Sequence, residues 1–308
     1  MLLFFLAALA AVAAAWWLSR GAAGGGDPVE GAGVVTAAPS GQPAAAAATA
    51  AGGASAAGGG HPGAATPAAN STLGAGSPIP PAAGTPRIAL VIDDLGRSVE
   101  DVRRLSRLGV PVTYAVLPFE TLTPEVVAEV GRLGGELVLH LPMEGRNGAN
   151  PGPGALRMGM PRNELVAATR AAMGAVPGAV GVNNHMGSVL SADASSMRAV
   201  LREIAGDGVY FLDSRTTAES VAYPAARELG IAAAERDVFL DGELTEEAVR
   251  EQFRRVLEVA REEGSGIAIG HPHEVTLGVL EEQVPRAEEA GFRFVEVSAL
   301  VDRSVLPE

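Results

Sequence analysis

The chain has 308 residues, no cysteine and a formal net charge of −13, and all 23 of its basic side chains are arginine. The missing thiols exclude a disulfide framework and a thiolate metal site. The acidic balance argues against a nucleic-acid partner, which needs a basic surface, and disfavours a polyanionic substrate unless arginines cluster locally.

Residues 1–20 carry an uncharged apolar run, LLFFLAALAAVAAAWWL at 2–18, closed by Arg20. The run is at the short limit for a bilayer span, which needs ~17–25 residues. Trp16 and Trp17 suit a membrane interface. An uncleaved anchor is favoured over a cleaved signal, because bulky Trp16 follows the small residues a signal peptidase would read. A mis-assigned start in a cytosolic protein is the remaining reading. Residues 21–86 are nearly all Ala, Gly, Pro, Ser and Thr, with only Asp27 and Glu30 charged. Such a segment has too little large apolar surface to offset its ordering entropy, and it reads as a disordered tether. Anchor and tether together imply a domain on the extracytoplasmic side, held to the membrane or secreted. His61 falls in the tether and is set aside.

The folded domain is assigned to 87–308. Strands are expected at 87–93, 110–118, 136–142, 179–185, 208–214, 236–241, 266–272 and 292–298. Most are continuous apolar runs, the pattern of parallel strands covered on both faces. Helices are expected at 98–108 with a Ser98 cap, at 123–133 with a Thr123 cap, and at 245–264 with a stripe of Val249, Phe253, Val256, Leu257 and Ala260. A further helix at 276–290 contains Pro285, where a kink or break is expected. The alternation predicts an α/β domain, and a distorted (β/α) barrel of seven or eight parallel strands fits better than a doubly wound sheet. DDLGRS after the first strand is no dinucleotide fingerprint.

In such folds the site gathers at the carboxyl ends of the strands. There the sequence places Asp93 and Asp94, then His140 with Glu144, then Asn183, Asn184 and His185. Asp213 and Arg215 follow, and finally His271 and His273. Singly, each is ordinary turn or strand-end chemistry. Jointly, all four histidines of the domain share one rim, and carboxylate with neutral imidazole is a ligand set for a divalent metal such as zinc.

The motifs VIDDLG, LHLPME, NPGPGALRMGM, VNNHMGS, FLDSRTT, RDVFLDG and AIGHPH resemble, in order, the divergent polysaccharide deacetylase family, a branch of the superfamily with the NodB-homology deacetylase domain. The resemblance runs over about 87–302. It implies a NodB-like barrel and metal-dependent removal of acetyl groups from N-acetylated sugars. Carried over by motif, it makes Asp93 the base, Asp94 a metal ligand and His271 the general acid. The wider superfamily uses a His-x-x-x-His pair, whereas here His140 is followed four positions on by Glu144. His185 is then the candidate for the second imidazole, with Asn183 and Asn184 orienting it or the substrate. Asp213 and Arg215 would position His271, and His273 has no counterpart. The Gly/Pro-rich loop 145–160 reads as a substrate cover or a surface excursion. The implied partner is a cell-envelope glycan. A catalytically silent glycan-binding module and an amidase or esterase of non-sugar substrates are the alternatives.

Overall fold

The computed structural model describes residues 84–301. The apolar run at 2–18 and all but the last residues of the tether lie outside the described residues, as does the end of the domain after 301. Among the described residues no helix is long and apolar enough to cross a membrane.

Among the described residues nine strands form one sheet. They are β1 (Arg87–Leu95), β2 (Thr113–Val116), β3 (Glu136–Met143), β4 (Gly181–Met186), β5 (Tyr210–Asp213), β6 (Ala233–Glu235), β7 (Val238–Phe239), β8 (Ser265–Gly270) and β9 (Arg293–Val295). The order is β6-β5-β4-β3-β2-β1-β8-β7, every pair is parallel, and β9 joins the lower part of β1. The two ends of this order, β6 and β7, are separated in the chain only by Arg236 and Asp237. One interrupted stave therefore pairs with β5 on one side and β8 on the other, and closes the sheet into a distorted (β/α) barrel. The continuous strand expected at 236–241 is corrected to this broken pair. The chain must change partners there, and two residues leave the ladder to do it.

Among the described residues seven helices cover the outside: α1 (Val99–Ser106), α2 (Thr123–Leu133), α3 (Arg162–Ala175), α4 (Ala194–Ala205), α5 (Ala222–Glu228), α6 (Glu246–Glu263) and α7 (Glu274–Glu289). Ser98 and Thr245 cap α1 and α6, each accepting the amide three residues on. Thr123 instead lies inside α2, and its hydroxyl donates to the Leu117 carbonyl at 2.7 Å. The helix α7 continues through Pro285 without a break. The proline removes one intrahelical bond, but buried Val284 and Ala287 on either side hold the helix to the core. Helices α3, α4 and α5 were not among the elements read from the sequence.

The period of two along each strand divides the apolar residues into two layers. Ile88, Leu90, Ile92, Leu139, Leu141 and Phe211 point outward and meet the helices. Ala89, Val91, Ala115, Val138, Leu212 and Ile267 fill the barrel interior. At its lower end, buried Glu136 accepts hydrogen bonds from Thr113 Oγ1 at 2.9 Å and Tyr210 Oη at 2.8 Å, and from the Ser298 amide at 3.2 Å. This satisfied network plugs the floor.

Tyr210 also explains Gly181. A Cβ at that position would sit 2.4 Å from the tyrosine ring, which the Glu136 hydrogen bond prevents from moving aside. The substitution Gly181→Ala is expected to lower stability by ~1–3 kcal/mol through overpacking, read from the denaturant midpoint.

Candidate metal centre

The inner-face pattern that packs the barrel also builds the site. Counting upward by two, Val91 leads to Asp93, Val138 to His140, Gly181 to Asn183 and His185, Leu212 to Ser214, and Ile269 to His271. Apolar residues fill the lower levels and polar ones the mouth. Asp94 breaks the alternation. Its φ is 59° and the β1–β2 register shifts between Ile92 and Leu95. Aspartate tolerates this left-handed conformation better than most residues. The bulge turns two consecutive carboxylates toward one cavity.

Asp94 Oδ1 lies 2.9 Å from His185 Nδ1 and 3.2 Å from His140 Nε2, and the two nitrogens are 3.1 Å apart. A tetrahedral zinc site with bonds of ~2.0–2.1 Å has donor–donor edges of roughly 3.3 Å. The triangle is slightly tighter than that. Asp94 Oδ1 is also shielded from solvent and has no hydrogen bond of good geometry, its near neighbours being the two ring nitrogens, which suits a metal-donor oxygen. Burial by itself would raise the Asp94 carboxyl. The His140 and His185 imidazoles outweigh it and hold the group well below the ordinary carboxylate range. A divalent metal therefore fits these residues.

Asn183 sets the tautomer of His140. Its Nδ2 donates to Asp93 Oδ1 at 2.8 Å and approaches Ser214 Oγ at 3.3 Å. Its Oδ1 therefore faces His140 Nδ1, 2.8 Å away. A carboxylate cannot donate, so the amide must point its nitrogen at Asp93 and its oxygen at the histidine. The Asn183 oxygen thus keeps a proton on His140 Nδ1, so Nε2 is the nitrogen left to ligate a metal once its own proton is lost. His140 and Asn183 are register partners on β3 and β4, which gives the contact its reach. Asp93 stays outside the triangle, with Oδ2 3.6 Å from His140 Nε2. Burial pushes its carboxyl above the ordinary value, against the pull of the His140 and His271 imidazoles.

His271 approaches from β8, with Nε2 4.0 Å from Asp94 Oδ2. Its Nδ1 meets Asp241 Oδ1 at 3.0 Å, and its amide donates to Asp241 Oδ2 at 2.6 Å. Thr276 Oγ1 completes the Asp241 shell at 2.8 Å. Burial works to lower the His271 imidazole, but the Asp241 hydrogen bond and the charges of Asp93, Asp241 and Asp94 prevail and push it up to about 9. The carboxylate that holds His271 is thus Asp241, which sequence reasoning passed over although FLDG places an aspartate at a strand end. Asp213 does not reach His271. Its oxygens accept the Arg215 and Tyr223 amides and the Ser220 hydroxyl, which fasten its own loop. Arg215 pairs with Glu235 at 2.8 Å.

A cavity of about 350 Å³ opens above these groups, with Arg215, Arg236, Phe239 and Met186 in its walls. Asn184, at its edge, accepts the Ser214 amide and donates to the Met186 carbonyl, tying the ends of β4 and β5 together. Glu144 turns away. It accepts the Met158 amide at 2.7 Å, while Leu156 bridges to Met143, so the loop 145–160 is pinned along β3. His273 caps α7 without a side-chain bond and lies beside His271, 5.7 Å between ring centroids. A larger depression of about 930 Å³ along α6 is an open groove among ion-paired Glu and Arg side chains and gathers none of these groups.

A family model described as divergent polysaccharide deacetylase matches residues 90–301. The chain is similar to the uncharacterized protein YibQ of Escherichia coli (strain K12), at 36% identity over 198 residues, covering 64% of this chain and 62% of that protein. An uncharacterized protein of Haemophilus influenzae is 32% identical over 195 residues, covering 63% of this chain and 70% of that one. The chain thus matches less than two thirds of the Escherichia coli relative's length. Among solved structures, the uncharacterized protein ATU2773 from Agrobacterium tumefaciens C58 is similar, with a TM-score of 0.67 and 28% identity over 71% of this chain and 91% of that chain.

Two measurements test this geometry without any substrate. In the metal-free full-length chain, the His271 imidazole is expected to stay protonated through neutral pH and to lose its proton only as pH rises through about 9. Asp241→Asn removes the carboxylate that raises it, so the NMR titration midpoint is expected to move to lower pH. Asn183→Leu frees the His140 ring and is expected to weaken zinc affinity ~10–100-fold, measured by competition with a chelator.

Proposed function

The chain belongs to the divergent polysaccharide deacetylase family, and from that premise we propose that it is a metal-dependent hydrolase of the cell envelope that removes acetyl groups from N-acetylated glycans. The observation that carries the reading is the convergence of Asp94 Oδ1, His140 Nε2 and His185 Nδ1 within 3.2 Å of one another. The donor set of two imidazoles and one carboxylate favours zinc. The apolar run at 2–18 and the tether at 21–86 support an extracytoplasmic placement near a membrane.

Asp94, His140 and His185 would hold a divalent ion, which when bound would supply Lewis acidity toward a water and an amide carbonyl. Asp93 is placed to take the proton from the attacking water. It is buried, lies beside the triangle without belonging to it, and is held in orientation by Asn183. His271 enters from the other side as the imidazolium, with Asp241 behind Nδ1 and Nε2 facing the cavity. It is placed to protonate the departing amine. Base and acid thus have separate polar supports, one through Asn183 and one through Asp241.

The test is element-specific metal analysis of the purified full-length chain, followed by acetate release from chito-oligosaccharides and peptidoglycan. Asp94→Ala and His185→Ala are expected to lose metal and activity together. Asp93→Asn is expected to keep the metal while turnover falls ~10²–10⁴-fold. His273→Ala is expected to change turnover less than His271→Ala. A metal-loaded protein that binds glycan without turnover would return the reading to a silent binding module, and acetate released only from non-sugar amides or esters would move the substrate class.

A further inference from the structure

Arg236 carries a charge that the protein does not neutralise at close range. It stands in the two-residue step between β6 and β7, half-buried, in the wall of the same cavity as Asp93, His140 and His271. Nε donates to the Ser214 carbonyl at 2.7 Å and Nη2 to the Arg215 carbonyl at 2.9 Å. The guanidinium carbon lies 5.1 Å from the centroid of the Phe239 ring. All three partners are neutral, and among the described residues no carboxylate forms an ion pair with Arg236. Asp93, Asp213 and Asp237 act on it only through space, and burial outweighs them. Its neighbour Arg215 differs, because Glu235 neutralises it at 2.8 Å.

A half-buried cation without a counter-ion costs stability. Two backbone carbonyls and an aromatic face fix this one in place, so it is not a side chain free to swing into water. A guanidinium has five N–H donors in a planar fork. Two of them go to the carbonyls, which leaves the others for a ligand in the cavity. We propose that Arg236 recognises a carboxylate on the substrate, so that the cavity prefers acidic N-acetylated sugars to neutral ones. This rests on the hydrolase reading for the nature of the sugar. The single uncompensated fork matches a monoanion, whereas a phosphate dianion would call for a second free cation, and Arg215 is already paired. The net charge of −13 repels an anion at long range, but over a screening length of ~8 Å the local guanidinium governs.

The comparison is N-acetylmuramic acid methyl glycoside against its carboxyl methyl ester, which differ by one charge at one position. With the zinc-loaded full-length chain, kcat/KM and calorimetric affinity are expected to favour the acid by roughly 10- to 100-fold. In Arg236→Met the ratio is expected to fall to about one, and in Arg236→Lys to an intermediate value, because lysine keeps the charge without the fork. Zinc content equal to wild type shows that the variant keeps its fold. Equal handling of acid and ester by the wild type overturns the proposal with no variant needed, as does a preference that survives Arg236→Met. Hydrolysis of both at equal efficiency would leave the hydrolase reading intact while removing carboxylate recognition. An acid-selective binding that Arg236→Met abolishes, with no hydrolysis of either compound, would do the reverse.

Discussion

Everything at the mouth of this barrel depends on the backbone at Asp94. Two adjacent residues on a regular strand face opposite sides of the sheet, so Asp93 and Asp94 could not both serve one cavity in an unbroken β1. The φ of 59° and the register shift beside it remove that restriction. One carboxylate can then form a close triangle with His140 and His185 while the other stands a short step away, held by Asn183. Without the bulge, Asp94 would point toward the helices and leave two imidazoles facing each other with no anion between them.

Asn183 is the second fixed point, and its value is informational as much as energetic. A single amide reads the carboxylate on one side and dictates the histidine's proton on the other. Asp93 and His140 are thereby oriented by one group, and a change in either is felt by its partner. Asp241 does the matching work for His271 through three hydrogen bonds from β8 and α7. The site therefore has two separately braced halves that meet at Asp94.

Much of this was legible in the sequence because the period of two is strict. Continuous apolar runs announced parallel staves, and the Asp and His residues sat where the inner-face count ends. The resemblance supplies Asp94, the strand series points to His185 beside His140, and the three side chains do converge. What escaped has physical reasons. The sequence puts Asn183 and Asn184 at the end of the fourth strand but not their partners; both lie in β4 and are buried, and only the paired strands reveal that one faces inward. Asp241 was hidden because 236–241 reads as one strand, while the real stave changes partner at Arg236 and Asp237. Glu144 and Asp213 looked like site residues by position, but both are used by backbone amides of nearby loops. Helix α3 was missed because its buried side consists of Leu165, Thr169 and Ala172 alone, too faint an apolar stripe to stand out.

The floor of the barrel has a consequence for traffic. Glu136, Tyr210 and Thr113 seal the end opposite the cavity, and close-packed side chains fill the space between. Among the described residues the barrel is closed at that end. Whatever enters leaves by the same doorway, so a spent ligand must clear the threshold before the next can arrive, and anything lodged beside Phe239 blocks both directions at once.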